Sequence, residues 1–338
     1  MRFHAPIFCA LCFFLTCHAA RGWALNQPLG PQHGFGSNEF DLCPSSCAQP
    51  IVLDGESSAD RVTYWLPQIL KDGDSAPVLV YLHGFLAMAP QNYQSHIDHL
   101  TRQGYIVIFP QFQPSGIEVM NELGVIRRTD QGNWLGRAIR GTERVLNILG
   151  PRANRQAIYG FGHSIGGLLL TGWDKSGGPP LKAVVLANPK LDLDRGMPSI
   201  VRRMVRIKEL PWRQMIDGVK GRIVILGGED DTIATPTDMA ELRRYASNAE
   251  RVSLYIASSD KHSNETMHAD HFSPMTGRGP TQYLNWVLDS MGGRAALDTY
   301  DFRYYHAAVD SMLSGDDFVP DMGRWSDGFP FATVKREY

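Results

Sequence analysis

A mostly parallel α/β sheet with helices on both faces is the fold that the sequence predicts. Two patterns predict it. Continuous apolar runs, such as residues 78–82 (VLVYL) and 105–109 (YIVIF), suit strands buried on both faces. They alternate with segments of helical spacing, the signature of parallel strands joined by crossover helices. In order, strands are expected at 62–66, 78–82, 105–109, 157–159, 183–187, 223–226 and 252–256, the last of the series. Helices are expected at 91–103, 134–149, from Leu168 onward, from about Pro236, and at 302–313. The Gly-, Pro-, Gln- and Asn-rich stretch 22–41 reads as a loosely held lead-in.

Composition bounds the function. The chain has 338 residues, 43% hydrophobic and 20% charged, with a formal net charge of -2. That length can bury a large core, and the charge gives no reason to expect nucleic acid as a partner. Arg2, the apolar run 7–15 and the small residues Ala19, Ala20, Gly22 and Ala24 read as a signal peptide over 1–24, too short for a permanent membrane span. A secreted or periplasmic location follows. Of the 5 cysteines, Cys9, Cys12 and Cys17 fall in that leader. Cys43 and Cys47 remain, and in an oxidising compartment they are expected to form one small disulfide loop. With no repeat or linker in sight, residues 25–338 read as a single domain, with a cap at 194–219 and a C-terminal extension at 301–338. The basic stretch 194–219 equally suits a connecting helix with a solvated face.

The chemistry centres on residues 157–170 (AIYGFGHSIGGLLL). Gly162-His163-Ser164-Ile165-Gly166 fits G-x-S-x-G, in which a serine stands on a sharp strand-to-helix turn. The glycines are needed because side chains two residues either side would collide with the strand and helix. An acid and a base should follow in that order. Glu229, Asp230 and Asp231, in the turn 227–234 after an expected strand, compete for the acid; Asp231 is preferred, with Asp230 in reserve, and an acidic turn capping the next helix is the other reading. His271 is the preferred base, ahead of His268, with His262 at the surface. Those three histidines with Asp270 match no common zinc spacing. Backbone N–H groups of Ile165 and Phe85 are the expected oxyanion donors. His83, Gly84, His163 and Trp134 are expected around the substrate.

The set His83-Gly84-Phe85, the serine turn, Asp231-Thr232-Ile233-Ala234 and His271-Phe272 resembles the α/β-hydrolase superfamily over residues 62–288. Two branches are similar in part: residues 82–111 resemble chlorophyllases, and the acid and base segments resemble bacterial cutinases and polyester hydrolases. The acid position of chlorophyllases falls near Asn188, which carries no charge, and this favours Asp231. The resemblance implies a monomeric exported serine hydrolase that cleaves a small-molecule or lipid-like ester without a cofactor or metal. Acyl transfer to another alcohol, and action at a lipid or polymer interface, use the same residues. A binding protein on the same scaffold is a third reading, disfavoured by the presence of both serine and histidine.

Overall fold

The computed structural model describes residues 25–43, 48–115, 129–192, 195, 207–264, 266–280, 285 and 295–337. The leader, Cys47, residue 194 and residues 196–206 lie outside the described residues, so the disulfide and the first half of the expected cap do too; in its second half Trp212–Met215 forms a short helix, α4. Cys43 Sγ donates to Gln68 Oε1 at 2.9 Å. No helix among the described residues is long and apolar enough to cross a membrane.

Among the described residues, nine strands form one sheet: β1 Ile51–Leu53, β2 Val62–Trp65, β3 Ala76–Leu82, β4 Ile106–Pro110, β5 Ala153–His163, β6 Ala183–Ala187, β7 Arg222–Gly228, β8 Arg251–Ala257 and β9 Val334–Glu337. Their order across the sheet is β1-β2-β4-β3-β5-β6-β7-β8-β9. The run from β4 to β8 is parallel. The pairs β1–β2, β2–β4 and β8–β9 are antiparallel. This is the α/β-hydrolase fold expected from the motifs.

Alternation along each strand builds two cores. Val78, Val80 and Leu82 of β3 pack with the helices α2 (Gln131–Leu149) and α3 (Ile165–Thr171) on one face. Leu79 and Tyr81 face α1 (Gln94–Arg102) and the C-terminal helix on the other. That C-terminal helix, α6, runs over Ala307–Ser314 and is entered through a π-helical turn at Asp301–His306. The helix α5, Pro236–Tyr245, starts in a capping box between Thr235 and Asp238.

Three expectations change. Residues 252–256 are not the last strand, because β9 adds an edge beyond β8. Its sequence, VKRE, is almost wholly exposed, so it carries no buried pattern, and charged side chains suit an edge. The lead-in is held, not loose: Thr299 N–H donates to Gln27 Oε1 at 3.0 Å, and Gly36 N–H to Asp310 Oδ2 at 2.7 Å. Helix α2 begins at Gln131, three residues before Trp134, because the Asp130 side chain caps it by accepting from Gly132 N.

Buried imidazoles join α1 to the C-terminal helix. The His306 ring stacks on His96 at 4.5 Å and on His99 at 4.8 Å, and His99 Nε2 lies 3.0 Å from Asp310. Burial pushes both His96 and His306 well below the ordinary histidine value of 6.5, and it pulls His83 to about 4. The unfolded chain therefore binds protons near pH 6 that the folded chain refuses. The stability that these three rings contribute is fully present above about pH 6.5 and is lost as pH falls below it. The melting temperature is expected to drop by several degrees between pH 7 and pH 5, and less in His306→Phe, which keeps the stack without the titration. An equal drop in both proteins would contradict this.

Candidate active site

Strand β5 delivers Ser164 on a tight turn into α3. Ser164 has φ 55 and ψ -116, and its N–H donates to Ala187 O at 2.9 Å. The flanking glycines are required. A Cβ on Gly162 would lie 2.5 Å from the Gly166 carbonyl, and one on Gly166 would lie 2.2 Å from Leu82 O. Among the described residues, three non-glycine residues have positive φ: Leu86, Ser164 and Asn188. All three follow the carboxyl ends of neighbouring strands, β3, β5 and β6, so the unfavourable backbone is concentrated at one place.

Ser164, His271 and Asp231 meet there. Ser164 Oγ–H donates to His271 Nε2 at 2.8 Å, and His271 Nδ1–H donates to Asp231 Oδ2 at 2.8 Å. Asp231 also accepts from Ile233 N and Ala234 N through Oδ1, and from Asn188 Nδ2 through Oδ2. Burial alone would raise this carboxyl. The charge of the His271 ring and those hydrogen bonds outweigh burial and hold it below the usual carboxylate range.

The reserve candidates have other partners. Asp230 pairs with His268 at 2.6 Å, both half exposed. His262, expected at the surface, is half-buried: it stacks on Phe329 at 4.0 Å and lies 2.7 Å from Asp327.

Oxyanion donors need free N–H groups beside the serine. Gly84 N–H is committed to Tyr93 Oη at 2.9 Å, and Leu86 N–H to Gln113 Oε1 at 2.9 Å. Between them Phe85 N–H has no protein acceptor among the described residues, and the same holds for Ile165 N–H at the head of α3.

Of the residues expected around the substrate, His83, His163 and Trp134 are all buried. The His83 ring lies flat on Phe112 at 4.0 Å, with Nδ1 2.7 Å from Gly84 O. Trp134 sits 6.2 Å from the Phe85 ring. His163 acts inside the protein. Its Nε2 lies 2.8 Å from the backbone carbonyl of His271, which can only accept, so Nε2 carries the proton. Nδ1 then accepts from Tyr93 Oη–H at 2.8 Å. Burial holds His163 at about 3, with the nearby His271 ring adding to the effect. A directional chain thus runs from Gly84 through Tyr93 and His163 to the loop that carries His271.

Tyr93→Phe would leave the Gly84 N–H and His163 Nδ1 buried without partners. It is expected to destabilise the fold by about 2 kcal/mol or more, read by urea denaturation. A loss below ~0.5 kcal/mol would contradict the chain as drawn.

Tyr93, Asn188 and Tyr305 were not among the sequence candidates. The sequence marks Asn188 only as a residue that carries no charge.

No family model matches the sequence, and no curated protein matches it. Among solved structures, an acylaminoacyl peptidase from Pyrococcus horikoshii is similar at 17% identity, with a TM-score of 0.44, over 66% of this chain and 38% of that one. Est1E from Butyrivibrio proteoclasticus is similar at 14% identity, with a TM-score of 0.44, over 72% of this chain and 97% of that one. A thioesterase domain from the curacin biosynthetic pathway gives 14% identity, a TM-score of 0.46, and 72% and 99% coverage. This chain spans well under half the length of the peptidase. At these values the likenesses say nothing about the reaction.

Proposed function

We propose that the protein is a serine hydrolase of carboxylic esters, with Ser164 as nucleophile, His271 as base and Asp231 as the acid that orients it. The observation carrying this is the unbroken hydrogen-bonded line Ser164–His271–Asp231, with both contacts at 2.8 Å, on a turn that holds the serine at φ 55. Ser164 Oγ gives its proton to His271 Nε2 as the Oγ–carbonyl bond forms. The amides of Phe85 and Ile165 hold the oxyanion. The ester C–O bond then breaks, and the departing alkoxide takes the proton from His271. Water, deprotonated by the same ring, attacks the acyl-enzyme and releases the acid and the free serine. Every step uses side chains and backbone amides of the chain itself.

The exported location rests on the leader 1–24 alone, and the substrate is proposed as a small or lipid-like ester. A panel of p-nitrophenyl esters of rising chain length tests the class of bond, run beside an anilide and a thioester of one acyl group. Hydrolysis of the esters at least about tenfold faster than the anilide supports an esterase. Preference for the anilide would overturn it in favour of a peptidase. Added alcohol diverting most product to a new ester would make it an acyltransferase.

A further inference from the structure

We infer that Tyr305, on the C-terminal helical segment, is a positioning residue for the triad acid and acts on it through Asn188. This rests on the serine-hydrolase reading. Tyr305 Oη–H donates to Asn188 Oδ1 at 2.8 Å. Asn188 Nδ2 in turn donates to Asp231 Oδ2 at 2.8 Å and to the Asp270 carbonyl at 3.0 Å. Both residues are buried, Asn188 at 0% exposure and Tyr305 at 2%. The amide has one orientation that fits: two donors toward two acceptors, and its oxygen toward a hydroxyl. Asn188 stands at φ 47, and its own N–H is tied to Leu226 O at 2.8 Å.

The helix supplying Tyr305 is fixed independently. On one side of Tyr305, the Tyr304 hydroxyl accepts from Gly227 N at 3.0 Å and lies 2.7 Å from Tyr255 O. On the other, His306 is held in the imidazole stack. The hydroxyl of Tyr305 therefore reaches Asn188 from a rigid base. A relay of two hydrogen bonds then fixes where Asp231 Oδ2 points, and so where His271 stands relative to Ser164.

Without the Tyr305 hydroxyl, Asn188 Oδ1 is a buried orphan and the amide loses its hold on Asp231. A carboxylate short of one donor keeps more charge toward the imidazole, which favours the protonated ring. Activity needs the neutral ring, so the acid limb of the kcat/KM profile moves to higher pH.

The test measures ester hydrolysis and fluorophosphonate labelling against pH in wild type, Tyr305→Phe, Asn188→Gly, the double variant and Tyr304→Phe. Glycine suits the positive φ at 188. Tyr305→Phe is expected to lower kcat by about 3- to 10-fold at nearly constant KM and to raise the acid limb by about 0.5 pH unit. Asn188→Gly should do at least as much, and adding Tyr305→Phe to it should shift the limb no further. Tyr304→Phe, which leaves the Tyr305 hydroxyl and the imidazole stack in place, should lower the melting temperature and move the limb less than Tyr305→Phe does. An unmoved limb in Tyr305→Phe, or an equal second shift in the double variant, overturns the inference while the hydrolase reading stands. If Tyr305→Phe does not fold, an unmoved limb in Asn188→Gly overturns it equally. A wild type that neither labels nor hydrolyses esters overturns both.

Discussion

Ser164→Ala is expected to lower kcat for ester hydrolysis by about 10⁴-fold or more with little change in melting temperature. The size follows from the geometry. Ser164 Oγ is the atom 2.8 Å from His271 Nε2, and no other hydroxyl is within hydrogen-bond reach of that nitrogen among the described residues. The fold should tolerate the change, because alanine keeps the Cβ already accommodated at φ 55 and the backbone bond to Ala187 O. Paired steady-state kinetics and thermal melts read the two halves of this prediction. A variant retaining more than about a tenth of wild-type kcat would show that another group carries the reaction.

Asp231→Asn is expected to cost about 10⁴-fold in kcat, for a reason of hydrogen-bond direction and not of shape. Four donors converge on this carboxylate: Ile233 N–H, Ala234 N–H, Asn188 Nδ2–H and His271 Nδ1–H. With the amide oxygen kept toward the two backbone donors, the new NH₂ faces His271 Nδ1. The imidazole must then carry its proton on Nε2, toward Ser164, where it can no longer take the serine proton. Asp230→Asn, one residue away, serves as the comparison. Its carboxylate pairs with the half-exposed His268, and its loss should change kcat by less than about threefold. Equal effects at both positions would remove Asp231 from the role given to it here.

The serine turn was legible in the sequence because its requirements are local. Gly162 and Gly166 are demanded by backbone atoms at 2.5 and 2.2 Å, and such demands show up as spacing. Asp231 and His271 were legible as positions after strands, since loops at the carboxyl ends of a parallel sheet face one site. The residues that hold the site were not. Tyr93 meets His163 across 70 residues, Asn188 meets Asp231 across 43, and Tyr305 meets Asn188 across 117. A single tyrosine or asparagine has no pattern that announces such a partner.

His163 misled for the opposite reason. Its place beside Ser164 pointed to the substrate, yet both ring nitrogens are taken by Tyr93 and the His271 carbonyl. The tail hid its role because its buried anchors are isolated. Trp325 and Phe331 stack at 5.7 Å, but Trp325 stands among Gly323, Arg324, Ser326 and Asp327 and Phe331 between Pro330 and Ala332, and β9 beyond them is charged and exposed.

On the proposed mechanism Ser164 is made nucleophilic by His271 and Asp231. The most direct measurement is the site of fluorophosphonate attachment, found by mass spectrometry of the digested full chain. A single adduct on the peptide containing Ser164, absent in Ser164→Ala and strongly slowed in His271→Ala, is the result predicted. An adduct on a different residue, or labelling of Ser164→Ala at the wild-type rate, would contradict it.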